Sequence, residues 1–256
     1  MSHYTLGVFT RKKITKDGEL AALMAPFWEG DGDEALARMS GYFVFCDRTE
    51  EYRHAYETES IHMYQDQEGN FHNVYAPRDS ESLKDERIRE YRIKDLYGTF
   101  EEYMEEEGIS SNQNGRYGYW YNPNARYDYF AIGGRWDKWL LTKEGKNVSS
   151  CAVSEIDFEG MKKKILRELP GLQEYLRSGF MKEDRYPDED DYQNLLSTFH
   201  TYAVLTPDGI WLEEGTVGNF GFSSESEEER REWIQGYHNW LEEFHDCYLT
   251  ILDCHI

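Results

Sequence analysis

Tyr4-Thr5-Leu6-Gly7-Val8-Phe9-Thr10 near the start of the chain and Cys247-Tyr248-Leu249-Thr250-Ile251-Leu252 near its end decide the fold. Both are rich in aromatic and branched side chains, which suit a pleated strand. Downstream of the first stretch, Asp17 is placed to cap a helix, and Leu20, Leu23, Met24 and Phe27 follow at helical spacing. Upstream of the second, Tyr202 to Thr206 and Ile210 to Glu214 flank the turn Pro207-Asp208-Gly209 and read as a hairpin. Ser224 and Glu227 then form a capping box, and Trp233, Tyr237, Trp240, Leu241 and Phe244 share one face of a helix over 225–245.

The two ends together give β-α … β-β-α-β, the order of a ferredoxin-like split sheet in an α+β fold. That reading makes residues 1–256 one elaborated domain, with a core from 1–30 and 198–256 and an insertion over about 40–197. It places the first and last strands as antiparallel neighbours, with helices 17–28 and 225–245 on the same face, and brings His3 near His255. Within the insertion the sequence predicts a strand at Tyr42 to Cys46, a hairpin around Gln67 to Asn70 and an acidic helical stretch from Ile93 to Glu107. A further helix is expected after a Ser154/Asp157 cap, with Phe158, Met161, Ile165 and Leu169 on one face before Pro170-Gly171 ends it.

Composition sets the outer bounds. Aromatic residues reach 16% of the 256-residue chain, which argues against disorder. With 50 acidic and 28 basic residues the formal charge is −22, so no extended surface for duplex nucleic acid is expected. There is no apolar run of the roughly 20 residues that a membrane helix needs, and Met1-Ser2-His3-Tyr4 does not begin a signal peptide, so the chain reads as cytoplasmic. Cys46, Cys151, Cys247 and Cys254 form no C-x-x-C pair and read as free thiols.

The charge is uneven. Residues 116–148 hold six basic and three acidic residues together with nine aromatics, whereas residues 213–256 hold eleven acids against Arg230 and Arg231. Aromatic rings beside arginine suit a planar anion, since rings stack on a base and a guanidinium binds phosphate through two hydrogen bonds. The period-two spacing at 117, 119, 121 and at 127, 129 equally fits half-buried strands with no ligand. Gly133-Gly134-Arg135-Trp136 points to a site, because paired glycines allow close backbone approach and positive φ. The expected ligand-binding set is therefore Arg126, Tyr127, Asp128, Tyr129, Gly133, Gly134, Arg135 and Trp136, with Arg135 facing a cleft that the rings border. The alternative makes Arg135 a structural clamp on Asp128 or Asp137.

Asn122-Pro123-Asn124-Ala125-Arg126-Tyr127-Asp128-Tyr129-Phe130-Ala131-Ile132-Gly133-Gly134-Arg135-Trp136 resembles a segment of a group of poorly characterised bacterial and bacteriophage proteins. Members of that group tend also to carry a late Thr-Pro-Asp-Gly hairpin followed by Trp, here Thr206 to Gly209 and Trp211, and an Asp-Cys-His-Ile ending, here Asp253 to Ile256. The resemblance implies a phage or mobile-element accessory protein that interferes with a host or defence factor, and with no compact triad, metal motif or phosphate loop in the sequence a non-enzymatic one is expected. It would do so by sequestering a nucleotide-like small anion or through acidic mimicry of a phosphate backbone. Glu105 to Glu107, Asp188 to Asp191 and Glu227 to Glu229 are the runs that would do the mimicking, although such runs also arise as solvated faces or helix N-termini.

The competing class is a nucleotide- or nucleic-acid-processing enzyme with a site around Asp128, Arg135, Cys254 and His255. Adjacent strand residues point to opposite faces, so Cys254 and His255 cannot form a dyad with each other. His54 and His62 lie near carboxylates but match no metal-ligand spacing, and neither a metal nor a cofactor is expected.

Overall fold

The first strand, His3–Thr10, runs antiparallel to the last, Tyr248–His255, in a register from His3↔His255 to Thr10↔Tyr248. The computed structural model describes residues 3–15, 17–30, 40–74, 85–165, 198–215 and 227–256. The chain divides into two compact units, one of residues 1–31 with 124–256 and one of residues 32–123. Both mix helices and strands, so the fold is α+β. Among the described residues no helix is long and apolar enough to cross a membrane.

In the first unit, strand Ala203–Leu205 lies parallel to the first strand (Leu6↔Ala203, Val8↔Leu205) and pairs on its other side with Trp211–Glu213. The far edge of the last strand is shared by two short strands. Ser150–Ala152 pairs with Tyr248 to Thr250, and Tyr129–Ile132 pairs with Leu252 to His255. The order differs from a ferredoxin-like split sheet, in which the return strand of the hairpin would lie against the first strand. Here the outgoing strand lies there instead, parallel and directly adjacent. Strands 129–132 and 150–152, which fall within the stretch read as an insertion, belong to the central sheet.

The helices also depart from the expectation that they share a face. Tyr4, Leu6 and Val8 pack with Leu20 and Met24 of the first helix, Asp17–Met24, and with Ala203, Leu205, Leu252 and Cys254. Phe9 points the other way, to Tyr237 and Leu241 of the C-terminal helix Glu227–Glu243 and to Val204, Leu249 and Ile251. The two helices therefore cover opposite faces. The physical reason is visible in the strands, whose residues are buried on both sides from Tyr4 to Thr10 and from Leu249 to His255, so each needs two covering layers. The expected face of the C-terminal helix is the buried one, with Tyr237 and Leu241 buried and Trp233, Trp240 and Phe244 packed beside them. Ser224, half of the expected capping box, lies outside the described residues, as do Leu169, Pro170, Gly171 and Asp188 to Asp191. Residues 158–165 are helical, and the Asp157 carboxylate accepts from the Gly160 amide at 2.9 Å.

The second unit contains the antiparallel sheet Phe71–Asn73, Ser60–Gln65, Ile88–Arg92 and the pair Val44–Asp47 with Gly118–Tyr121. The expected hairpin at 67–70 is present. The acidic stretch 93–107 forms two helices rather than one, Ile93–Leu96 and Phe100–Glu106, because Thr99 and Glu102 build a capping box that starts the second.

Gly7 leaves room on the sheet for the tip of Tyr237 from the C-terminal helix. A Cβ there would stand 2.9 Å from the Tyr237 hydroxyl and 3.0 Å from Thr201 Oγ1. Gly7→Ala is expected to lower unfolding free energy by about 1–3 kcal/mol through overpacking. Adding Tyr237→Phe should recover part of that loss, since it removes the nearest atom. Urea denaturation of the single and double variants measures both effects.

Candidate functional site

The alternation of the first and last strands puts His3, Asp253 and His255 on one face of the sheet, and Tyr4 and Cys254 on the other. His3 and His255 are directly paired across the two strands, and their rings meet edge to face with centroids 4.9 Å apart. His3 Nδ1 lies 2.8 Å from Asp253 Oδ1. His255 Nδ1 lies 2.8 and 2.7 Å from the two oxygens of Asp128. An ionised carboxylate only accepts, so each Nδ1 carries a proton and donates it, and each Nε2 is left to accept or, once protonated, to donate. Neither ring has another hydrogen-bond partner among the described residues.

Asp128 stands immediately before strand Tyr129–Ile132. Its amide donates to the His255 carbonyl at 3.0 Å, and its own carbonyl accepts from Trp28 Nε1 at 2.9 Å. Tyr129, 51% exposed, stacks on His255 with centroids 4.6 Å apart and planes 20° apart, while His255 itself is only 5% exposed. The site is thus a buried imidazole under an exposed ring, with a second imidazole at its edge.

The glycine pair closes the other side. Gly133 has φ 71° and Gly134 φ 50°, both in the region that favours glycine, and a Cβ on Gly134 would stand 2.3 Å from Asp253 Cβ. This turn brings the Arg135 amide to Asp253 Oδ2 at 3.0 Å. The close backbone approach expected of Gly133-Gly134 is therefore present, and the anion it receives is the chain's own Asp253. Burial pushes the Asp253 carboxyl upward, but the Arg135 amide, the His3 hydrogen bond and the charges of His3 and Arg135 outweigh it, holding the carboxyl below its ordinary value.

The eight residues expected to bind a ligand do not all meet. Asp128, Tyr129, Gly133, Gly134 and Arg135 gather around the end of the last strand. Arg135 is exposed and its guanidinium has no hydrogen-bond partner among the described residues, so neither Asp128 nor Asp137 clamps it. Tyr127 is buried against the first helix, and Arg126 Nε lies 3.4 Å from Glu213. Trp136 and Trp139 pack into the core on the opposite face. Tyr117, Tyr119, Trp120 and Tyr121 belong to the second unit altogether. The single aromatic cleft around Arg135 is not formed: Tyr127 precedes the strand that carries Tyr129, and Trp136 and Trp139 follow it, so no one strand holds these rings on a common face.

Cys254 is fully buried beside Tyr4, and burial pushes its thiol up to about 12, which leaves no reactive thiolate. Asp253 is the residue the expected set lacks. Its signal was the odd-number parity with His255 on the same strand. Among the described residues no three His, Cys, Asp or Glu side chains are grouped to hold a metal ion, and this includes His54 and His62. No family model, curated protein or solved structure matches the chain.

A carboxylate with a lowered folded-state value stabilises above the unfolded value and loses that contribution as pH falls through the folded one. The melting-temperature gap between wild type and Asp253→Asn should therefore hold steady above about pH 5 and close progressively as pH falls below about 4. A gap that widens on acidification would contradict this arrangement. Gly134→Ala is expected to destabilise by more than about 1 kcal/mol at any pH, because its left-handed φ and the contact with Asp253 both forbid a side chain.

Proposed function

We propose that the protein is an acid–base catalyst of the nucleotide- or nucleic-acid-processing class, working on a phosphate ester through His3 and His255. The observation that carries this reading is the pair of carboxylate-held imidazoles in contact across the first and last strands, each with Nε2 unpartnered among the described residues. Phosphoryl transfer needs one group to take a proton and another to give one. In the proposed step a hydroxyl or water attacks phosphorus while one Nε2 accepts its proton. The bond to the leaving oxygen breaks as the new P–O bond forms, and the Nε2–H of the other ring protonates the leaving oxygen. Asp128 and Asp253 hold the rings in orientation and offset the charge that each gains, as positioning residues. The exposed Arg135 guanidinium supplies a fork for the phosphate oxygens, and Tyr129 offers a face for a base.

A second reading, the phage-type accessory protein that occupies a basic surface of a host or defence factor, has one observation of its own. Glu105, Glu106 and Glu107 are exposed at the C-terminal end of helix Phe100–Glu106, where the helix dipole disfavours carboxylates. The ordinary explanation of an acidic run as a favoured helix start does not apply to them.

Incubation of the full chain with mononucleotides, cyclic nucleotides and a short single-stranded RNA, followed by anion-exchange chromatography, separates the two. The acid–base reading expects a product and a bell-shaped pH–rate profile. His3→Gln and His255→Gln should each lower kcat by about 10²–10⁴-fold, and Arg135→Lys should chiefly raise KM. Absence of turnover on every substrate, with unchanged folding, would leave the accessory reading. That reading in turn expects association with a basic partner to weaken steeply with salt, and to slow when Glu105 to Glu107 are changed to Gln.

A further inference from the structure

The first strand has a second functional end. It leaves the sheet at Thr10 into Arg11-Lys12-Lys13, three exposed cations in succession in a chain with 50 acids and 28 bases. Here the carboxyl ends of the first strand and of its parallel neighbour Ala203–Leu205 lie side by side, and a crevice of about 700 Å³ opens between the first helix and the turn at Thr206-Pro207. In open sheets ligands bind outside the carboxyl ends of parallel strands, and this crevice lies outside the carboxyl ends of such a pair.

The crevice has two kinds of wall. Ala22, Leu23 and Leu205 give it an apolar floor, and Leu23 is 40% exposed there. The cations form its rim. Arg11 reaches across to Asp208 at 2.6 Å, an exposed pair of the kind that contributes little to stability and opens readily for a competing anion. Neither Lys12 nor Lys13 has a side-chain partner among the described residues. Lys13 also borders a second crevice of about 490 Å³, where Lys143 and Lys146 are offset by Glu144 and Glu155. Glu19 is the one carboxylate on the larger crevice, and its Oε2 accepts from the Thr15 amide at 3.3 Å.

We infer that this crevice binds a nucleoside 5′-phosphate, with the base and sugar on the apolar floor and the phosphates on Arg11, Lys12 and Lys13. A volume of about 700 Å³ is in the range of small-molecule sites, roughly 300–1,000 Å³. Seven residue steps at about 3.3 Å each put it roughly 23 Å along the strand from His3. The site is therefore separate from the imidazole cluster and does not rest on the acid–base reading.

The test is calorimetric titration with ATP, AMP and tripolyphosphate of the full chain carrying Arg135→Gln, which removes the phosphate fork proposed for the imidazole site. Expected are one ATP per chain, weaker binding of tripolyphosphate, and at least a tenfold loss of ATP affinity in Lys12→Gln/Lys13→Gln with an unchanged melting temperature. Two results would overturn the proposal: no heat with millimolar ATP, or ATP binding unaffected by the double substitution. Tripolyphosphate binding as tightly as ATP would overturn the role given to the apolar floor, and with it the nucleoside assignment. Because these readouts require no turnover, failure of the acid–base reading leaves them interpretable.

Discussion

Eight residue pairs zip the first strand to the last, and the rest of the first unit hangs on that register. It closes residues 250 positions apart in sequence, a loop whose entropic cost grows only slowly with its length. Burial on both faces meets that cost. Leu6, Val8, Leu249, Ile251 and Leu252 are essentially inaccessible, and each fully buried aliphatic side chain contributes roughly 1.5–3 kcal/mol. A slip of one residue would turn every one of these side chains to the wrong layer, and would also carry His255 and Asp253 away from His3. Stability and site geometry therefore depend on the same pairing.

The site itself is polar chemistry placed where the apolar layers end. Along the first strand the C-terminal helix that covers Phe9 and Gly7 gives way to Thr5 and His3, and along the last strand Ile251 gives way to Asp253 and His255 on the same face. Buried polar groups need partners, and each here has one: His3 with Asp253, His255 with Asp128, and Asp253 with the Arg135 amide as well. The Gly133-Gly134 turn matters because it sits on the last strand between two short edge strands. The Gly133 amide donates to Ile251, and the Ile251 amide donates in turn to Ser149, so the edge stays hydrogen-bonded through the gap. The turn and the Asp253-Cys254-His255 strand that it faces are hydrogen-bonded to each other.

Charge is organised by the sheet rather than by the linear segments. The basic and aromatic stretch 116–148 is divided between two units, residues 116–123 in one and 124–148 in the other. The short run Arg11-Lys12-Lys13, by contrast, stays together because it follows a strand directly and is anchored by the Thr10 hydroxyl, which donates to the Lys12 carbonyl at 2.8 Å. In a strongly acidic chain, three cations left at one strand end are more informative than a larger number spread over a longer stretch.

The sequence by itself determined the α+β class, the two terminal strands, the hairpin at Pro207-Asp208-Gly209 and the buried face of the C-terminal helix. Each of these rests on local periodicity or turn chemistry that a single segment carries. It also determined that Cys254 and His255 separate to opposite faces, and that His3 meets His255 if the ends pair, because both follow from strand geometry alone. Only the tertiary structure decided the strand order and the opposite placement of the two helices. Tyr4 to Phe9 reads the same whether one covering layer or two are present, and the choice depends on which remote segments arrive. Asp128 and Asp253 became partners of the histidines for the same reason: each pairing joins positions more than 120 residues apart, and no local pattern encodes which carboxylate a given imidazole will meet. The fate of the aromatic stretch was decided there too, since spacing by two predicts a shared face only where one strand carries both rings, and the strand begins at Tyr129, after Tyr127.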